Sequence, residues 1–424
     1  MDGASAGGVI LPGVTAGNDE PARSRRRPAR IGMMIVSEYE ANPRARRQAE
    51  ALAARGDDVT VLALHADGRP REEVVDGVRV VHAPVRKYRG DSAKSYLSLY
   101  GGFFAYAVAW MARRPRAFDL VQSHTMPEAL VFAAALQRMG RVPALLDVHD
   151  LTERLFASKF RNGGAMMTAV RASTRLALSF ADEILTVHEP YAEVIRKWTR
   201  RPVSIVMNSP DSRLFPPRPF RPRGSDEIMF SYHGLIAARH GLVNAVEALA
   251  KLQLEVPGAR MQILGSGDGL PALRARVAEL GLTEDVSLPT TLRPITEMPP
   301  ILERAHVGLV PSQRDPWTDE VLPTKLLEYA ALGIPVITFR NPVIERYFPE
   351  DSVTFVDPAS PENLLAAMRR LALDPELARR QAERASAVVA EYSWDHQKLI
   401  YFDVIDRMLA RRRGVGARAE VRGG

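Results

Sequence analysis

Apolar residues along this chain fall in short blocks, each followed by a stretch where they recur at helical spacing. Residues 31–36 read as a buried strand, 44–55 as a helix and 59–64 as the next strand. Apolar blocks at 78–81, 120–121, 144–148, 184–187 and 203–207 continue the series, with a long apolar segment at 96–112. Residues 208–224 then carry five prolines and no periodic pattern, which predicts a linker. Beyond it the alternation restarts, with strands at 228–232, 261–264, 286–288 and 306–310 and helices at 241–255, 270–280, 298–304 and 361–373. Such alternation predicts an α/β fold of two doubly wound, Rossmann-like domains, with parallel sheets flanked by helices. Strands whose carboxyl ends face each other around a hinge would leave a ligand cleft between them. The expected division is a basic tail at 1–28, a first domain at 29–207, a linker at 208–225 and a second domain at 226–390.

Composition narrows the classes. The 424 residues are 46% hydrophobic and 25% charged, as in an ordinary globular protein with room for two cores. With no cysteine, disulfides, thiolate catalysis and cysteine metal sites are excluded. The tail at 1–28 is rich in Gly, Ala, Pro and Arg, predicting disorder, and lacks the basic-then-apolar order of a signal peptide. Segment 96–112, between Lys94 and Arg113-Arg114, is short for a membrane span and suits a core or interfacial helix. A net charge of +7, with arginines clustered at 23–30, 44–47, 196–201 and 411–413, makes an anionic membrane surface a candidate partner. Solvated basic faces explain the clusters equally well, and no nucleic-acid motif accompanies them, so no nucleic-acid partner is expected.

The densest candidate chemistry lies at 311–337, PSQRDPWTDEVLPTKLLEYAALGIPVI. Pro323 is suited to a first helical position, and Gly333 with Pro335 ends the helix. Thr324 and Lys325 then occupy the first turn, where free N–H groups attract anions. Glu320 precedes the helix, placed to accept hydrogen bonds from sugar hydroxyls. Glu328 lies inside it, placed to receive the vicinal hydroxyls of a ribose. Lys325 supplies a point charge for a diphosphate between them. Structural ion pairs would produce the same residue types.

This string resembles the Glu-x7-Glu segment of retaining glycosyltransferases of family four, which have the GT-B fold. The LPTKLLEY variant is especially similar to a subgroup of bacterial polysaccharide and glycolipid transferases. The likeness runs from about Arg30 to about Arg411. It implies that Glu320 contacts the donor sugar and Glu328 the nucleotide ribose, and that a final helix at 391–413 returns to the first domain. The family's usual Gly-Arg-x4-Lys-Gly phosphate site is altered: after Gly234, Leu235 and His240 stand at the two cationic positions, with Arg239 beside the second. Arg239 and Lys325 are therefore expected to clamp the diphosphate, with Gly234, Thr324 and His240 around it. His240 would assist only if protonated or as a neutral donor.

His149 and Asp150 end a predicted strand, and by resemblance they lie near donor sugar and acceptor as further catalytic residues. Gly265 and Gly267 form a glycine turn near the nucleotide, although a purely structural turn fits equally, and Thr291-Leu292 are the candidate base contacts. Arg44 and Arg47 are expected to line a helix surface, with guidance of an anionic acceptor as the other reading. No ligand spacing suited to a metal and no Asp-x-Asp are present, so metal-independent, cofactor-free chemistry on a nucleotide-diphosphate sugar is expected. The acceptor would be a glycan, a sugar or a lipid-linked sugar, in a cytoplasmic enzyme working free or peripherally on the inner face of the plasma membrane. Sugar-nucleotide epimerases and phosphorylases share this two-lobed shape, and a non-enzymatic basic protein that binds nucleic acid or a membrane surface is the third alternative.

Overall fold

Each apolar block becomes a strand and each helical stretch a crossover, so the chain builds two separate parallel sheets. The structure, a computed structural model, describes residues 27–86, 93–153, 164–224, 226–289, 297–315 and 317–420. The tail expected at 1–28 lies almost wholly outside the described residues. The first sheet contains β1 (Arg30–Met34), β2 (Asp58–His65), β3 (Glu72–Val75), β4 (Val78–Arg86), β5 (Leu120–His124), β6 (Ala144–Val148), β7 (Glu183–Thr186) and β8 (Val203–Ile205). Its order is β3-β4-β2-β1-β5-β6-β7-β8, parallel except for the β3–β4 pair. The second sheet contains β9 (Ile228–Leu235), β10 (Ala259–Ser266), β11 (Val286–Ser287), β12 (Val307–Val310), β13 (Val336–Phe339) and β14 (Thr354–Val356). Its order is β11-β10-β9-β12-β13-β14, all parallel. Chain order reverses beside β1 and beside β9, the switch points where open α/β sheets hold ligands.

The apolar segment is one helix, Ala93–Ala112. Phe103, Ala107, Trp110 and Met111 pack it into the core under β2, β4 and β5, which makes it a core helix. Among the described residues no helix is long and apolar enough to cross a membrane. The last helix, Trp394–Glu420, lays Trp394, Tyr401, Val404, Ile405 and Met408 against the β1–β2 side of the first sheet. The proline-rich linker is strapped down: Phe215 is buried in the second core, and Arg218 N donates to Ala331 O at 2.9 Å.

Several elements escaped the hydrophobic pattern. Edge strands β3 and β14 are short, and β3 exposes Val74 at 73%. Helix Pro375–Glu391 buries mainly alanines, Ala378, Ala382 and Ala385, which do not stand out from their neighbours. Pro323 is the N-cap and not the first helical residue: its φ of −65° suits either place, but its ψ of 123° is extended. Glu320 sits in a single 3-10 turn, Thr318–Glu320, and not in open loop.

Arg44 overturns its expected surface position. Asn42 caps the helix Pro43–Ala54 by accepting from Ala45 N at 3.0 Å, with Pro43 in the first turn. Arg44 thereby turns inward, and is 5% exposed. Its guanidinium grips Asp147 of the fully buried β6 through both carboxylate oxygens, at 2.9–3.1 Å, and donates to Val206 O at 2.7 Å. Burial, the largest single influence, would raise the Asp147 carboxyl, but Arg44 with His124 and His149 together outweigh it and hold the group well below the usual carboxylate range. Arg44→Met, which keeps the volume and strands the carboxylate, should cost about 3–5 kcal/mol of stability in denaturant unfolding. A loss below about 1 kcal/mol would show that Asp147 finds another partner or protonates freely.

Candidate active site

The second lobe contributes the strand end 232–235 and the helix Thr324–Ala331. Lys325 rises from the first turn of that helix and donates from Nζ to Tyr232 Oη at 2.9 Å, its ammonium 4.2 Å from the centre of the Tyr232 ring. Gly234, in the positive-φ region at 119°, leaves room for it: a Cβ there would lie 3.3 Å from Nζ. Burial pushes the Lys325 ammonium down to about 8, opposed by Glu328. One turn on, Glu328 accepts from His233 Nε2 at 2.6 Å, and the His233 ring stands edge-on to Tyr329 at 4.8 Å.

The turn Ala238–His240 leads into helix Leu242–Leu252 through Gly241, whose φ is 64° and whose Cβ would meet Pro311 O at 2.0 Å. Arg239 stacks its guanidinium 4.8 Å from the centre of the Trp317 ring. His240 is buried, and desolvation, reinforced by Lys325, lowers its ring to about 4. It is therefore neutral at pH 7, which removes it as a third cation. Gly265 and Gly267 have a packing role. A Cβ at either would lie 1.8 Å from Gly234 O or 2.0 Å from Ile236 O, so they let β10 run tight against the end of β9.

In the first lobe Thr125 Oγ1 accepts from His149 N at 3.1 Å and Asp150 N at 3.4 Å, fixing the turn after β6. Burial lowers His149 and raises Asp150. His124, Asp147 and His149 bring possible ligand atoms within 4.8 Å of one another, a trio the spacing did not reveal. Its carboxylate is already engaged by Arg44 and by Gln48 Nε2 at 2.8 Å, a donor set suited to holding a carboxylate rather than a cation. Arg47 is half-buried beneath the cleft, donating to Ser209 O and stacking 5.4 Å from the Trp394 ring. His188 caps the helix Glu189–Trp198, accepting from Tyr191 N at 3.3 Å, and its ring hydrogen-bonds the main-chain carbonyl of Glu320 across the lobes. Burial lowers that ring to about 4. Tyr347 adds a second lobe-to-lobe bond, accepting from Glu189 N at 2.9 Å.

These parts enclose a cavity of about 320 Å³ between the lobes. His149, Asp150, His188 and Asn208 line one wall, and His240, Trp317, Thr324 and Lys325 the other. Of the sequence-predicted residues it thus gathers His149, Asp150, His240, Thr324 and Lys325. Glu320 lies between the lining residues Thr318 and Val321, Glu328 one turn behind Lys325, and Arg239 against Trp317. Gly234, Gly265 and Gly267 are not among the lining residues, and Thr291 and Leu292 lie outside the described residues. Sequence reasoning missed His188, His233 and Trp317, although all three stand at strand ends or in the loop already suspected. Buried polar atoms around this cavity, Nδ1 of His149 and His240, Nε of Arg239 and Nε1 of Trp317, have no partner among the described residues.

Two doubly wound sheets facing across such a cavity define the GT-B architecture. Two family models match in succession, a glycosyl transferase 4-like domain over residues 40–211 and glycosyl transferases group 1 over 218–388. The chain is 27% identical over 410 residues to a D-inositol 3-phosphate glycosyltransferase of Streptomyces griseus, covering 86% of this chain and 84% of that protein. An exopolysaccharide phosphotransferase of Streptomyces coelicolor is 29% identical over 201 residues, 46% of this chain but 20% of that longer protein. The structure of HepE from Anabaena in complex with UDP-glucose superposes with a TM-score of 0.66 at 14% identity, over 89% of this chain and all of that one. The chain is a GT-B glycosyltransferase, an enzyme that moves a sugar from a nucleotide-diphosphate donor to an acceptor.

The Lys325 environment makes a direct prediction. With its lysines carbon-13 dimethylated and followed by NMR, Lys325 should titrate near 8, well below the ordinary 10.5. The sign follows from desolvation, which favours the neutral amine, so charge is lost as pH rises through 8. A midpoint near 10.5 would mean that water reaches the ammonium freely.

Proposed function

We propose that this enzyme is a retaining glycosyltransferase of family four, working without a metal ion or other cofactor on a nucleotide-diphosphate sugar. The observation that carries this reading is the pair Arg239 and Lys325. Each cation rests on an aromatic ring and neither forms an ion pair among the described residues; Lys325 lines the cavity at a helix start, and Arg239 lies over the lining residue Trp317. Cations left unpaired beside free backbone N–H groups fit a diphosphate. In this reading Gly234, Thr324 and neutral His240 complete the diphosphate cradle. Glu328, one oxygen held by His233, takes the ribose. Glu320 orients the donor sugar, and Gly265, Gly267, Thr291 and Leu292 border the base.

The acceptor hydroxyl enters past His149 and Asp150. Its oxygen bonds to the anomeric carbon as the bond from that carbon to the diphosphate oxygen breaks. The acceptor proton passes to the departing phosphate on the same face, so configuration is kept. Arg239 and Lys325 stabilise the charge growing on the leaving group. The domain organisation proposed with this is a first lobe at 29–207, a second at 226–390 and a helix at 391–413 docked on the first. The lengthwise match to a D-inositol 3-phosphate glycosyltransferase supports glycoconjugate or polysaccharide synthesis as the setting.

Thermal shifts against UDP, GDP, ADP and their sugars, with and without EDTA, test the reading. One nucleotide at a hundred times its Kd should add about 2.7 kcal/mol of stability, unchanged by EDTA and weakened in Glu328→Ala. No shift with any nucleotide in folded protein would overturn it.

We further place the enzyme at the cytoplasmic face of an anionic membrane. Met139 and Leu176, 81% and 63% exposed, stand among Arg138, Arg171 and Arg175 on the helices covering one face of the first sheet. Flotation with vesicles containing anionic lipid should carry the protein upward at low salt and release it at high salt. Equal flotation with neutral vesicles, or none, counts against this placement.

A further inference from the structure

Trp317 belongs to none of the roles assigned above, yet the loop that carries it is held by more side-chain bonds than any ligand contact requires. Asp315 Oδ1 accepts from Trp317 N at 2.7 Å and Thr318 N at 2.8 Å. Thr318 Oγ1 accepts from Asp315 N at 2.7 Å and donates to Gln313 O at 2.8 Å. Asn341 Nδ2 donates to Thr318 O at 2.7 Å and Val321 O at 2.9 Å. Gln313 N then donates to Arg239 O at 2.7 Å, locking this loop to the turn that carries Arg239. The backbone that carries the indole is thereby fixed, Trp317 lines the cavity, and the Arg239 guanidinium lies over its ring, 4.8 Å from the centre.

Two donors meet at this stack without acceptors. Trp317 Nε1 and Arg239 Nε are both buried and have no partner among the described residues. An indole N–H can only donate, and so can a guanidinium N–H. A buried donor left unsatisfied is costly, so the two together call for an oxygen-rich, anionic ligand. The sequence supplies the reason. Leu235 and His240 fill the positions where two cations were expected; Leu235 is 52% exposed and His240 is neutral. Arg239 has to serve from a neighbouring place, and something must aim it.

We propose that Trp317 is a positioning residue for the diphosphate. Its ring holds the Arg239 guanidinium by stacking, and its indole N–H donates to the same phosphate oxygens. The proposal rests on the donor site described above. Stacked cations are worth more when desolvated, and a charge-assisted hydrogen bond more than a neutral one, so both halves bear on affinity.

Calorimetric titration of the nucleoside diphosphate found in the donor screen, beside its monophosphate, tests this in Trp317→Phe, Trp317→Ala, Arg239→Ala and the double variant Trp317→Ala with Arg239→Ala. Trp317→Phe keeps a stacking face and loses the donor, so diphosphate affinity should fall about fivefold. Trp317→Ala and Arg239→Ala should each cost about thirtyfold, and the double variant little more than either, because the two act as a unit. Monophosphate affinity should change less than about twofold throughout. Additive losses, or equal losses for mono- and diphosphate, would overturn the proposal. Should Trp317→Ala fail to fold by circular dichroism, Trp317→Phe decides alone, and wild-type affinity in that variant refutes the donor role. If wild-type protein binds no nucleoside diphosphate, the donor site itself fails and this proposal with it. If it binds one in a Glu328-dependent way but ignores Trp317, only this proposal falls.

Discussion

The grip of Arg44 on Asp147 is the constraint from which the first lobe's half of the cleft follows. Five segments join in one hydrogen-bonded network around a buried carboxylate. Arg44 and Gln48 come from helix Pro43–Ala54, Asp147 from β6, and Arg44 continues to Val206 O and to Asn208 Oδ1 at the start of the linker. Gln122 of β5 donates to Gln48 Oε1 at 2.6 Å, and Tyr401 of the last helix donates to Gln122 Oε1 at 2.6 Å. A buried ion pair adds little net stability, since desolvation offsets its attraction, but breaking it is expensive. Its value is positional. His149 and Asp150 follow Asp147 directly, so whatever fixes Asp147 fixes them, and the linker to the second lobe starts from the same point.

The second lobe follows the opposite electrostatic logic. Where Arg44 is matched by a carboxylate, Lys325 and Arg239 are matched by the faces and hydroxyl of Tyr232 and Trp317. An aromatic ring holds a cation in place without neutralising it. A carboxylate in the same place would compete with an incoming phosphate and would have to be displaced, at the cost of its own buried charge. The lobes thus divide the work: one spends its arginine on architecture, and the other keeps its cations available. His188 and Tyr347 bridge them through hydrogen bonds involving the backbone carbonyl of Glu320 and the amide of Glu189, which hold the cleft together without using cavity charge.

How much of this was legible in the sequence depends on how local each signal is. The helix at 324–331 was readable because proline, glycine and apolar spacing are all within a dozen residues, and only the role of Pro323 shifted by one place. The two-sheet fold was readable because short apolar blocks such as β6, with no polar residue except Asp147, alternate with helical stretches on either side of the proline-rich linker. That lone Asp147 should have signalled a buried cation, but nothing local says that Arg44, 103 positions earlier, supplies it. Asn42-Pro43 announced a helix start, not which way its first arginine would turn. Trp317 and Arg239 were both in view, yet their stacking joins two loops through tertiary geometry that periodicity does not encode. Short edges such as β14, and the alanine-faced helix Pro375–Glu391, leave too weak a pattern to see.

The histidines carry the last step of the argument. Three stand around the cavity, and burial is the largest influence on each, holding His188 and His240 near 4 and moving His149 in the same direction. None is a cation at neutral pH, and a ring that protonates near 4 is a weak base. A terminal phosphate takes up its proton with a pKa of about 6, so the departing diphosphate is a better proton acceptor than His188 or His240. In the proposed reading the site has fixed cations for that leaving group and neutral imidazoles able to hydrogen-bond sugar hydroxyls. On that reading, proton removal from the acceptor falls to the substrate's own phosphate. The proposed clamp would also account for His240 standing where the family has a cation: beside Arg239 and Lys325 a third charge would raise the cost of the empty site, whereas a neutral ring does not.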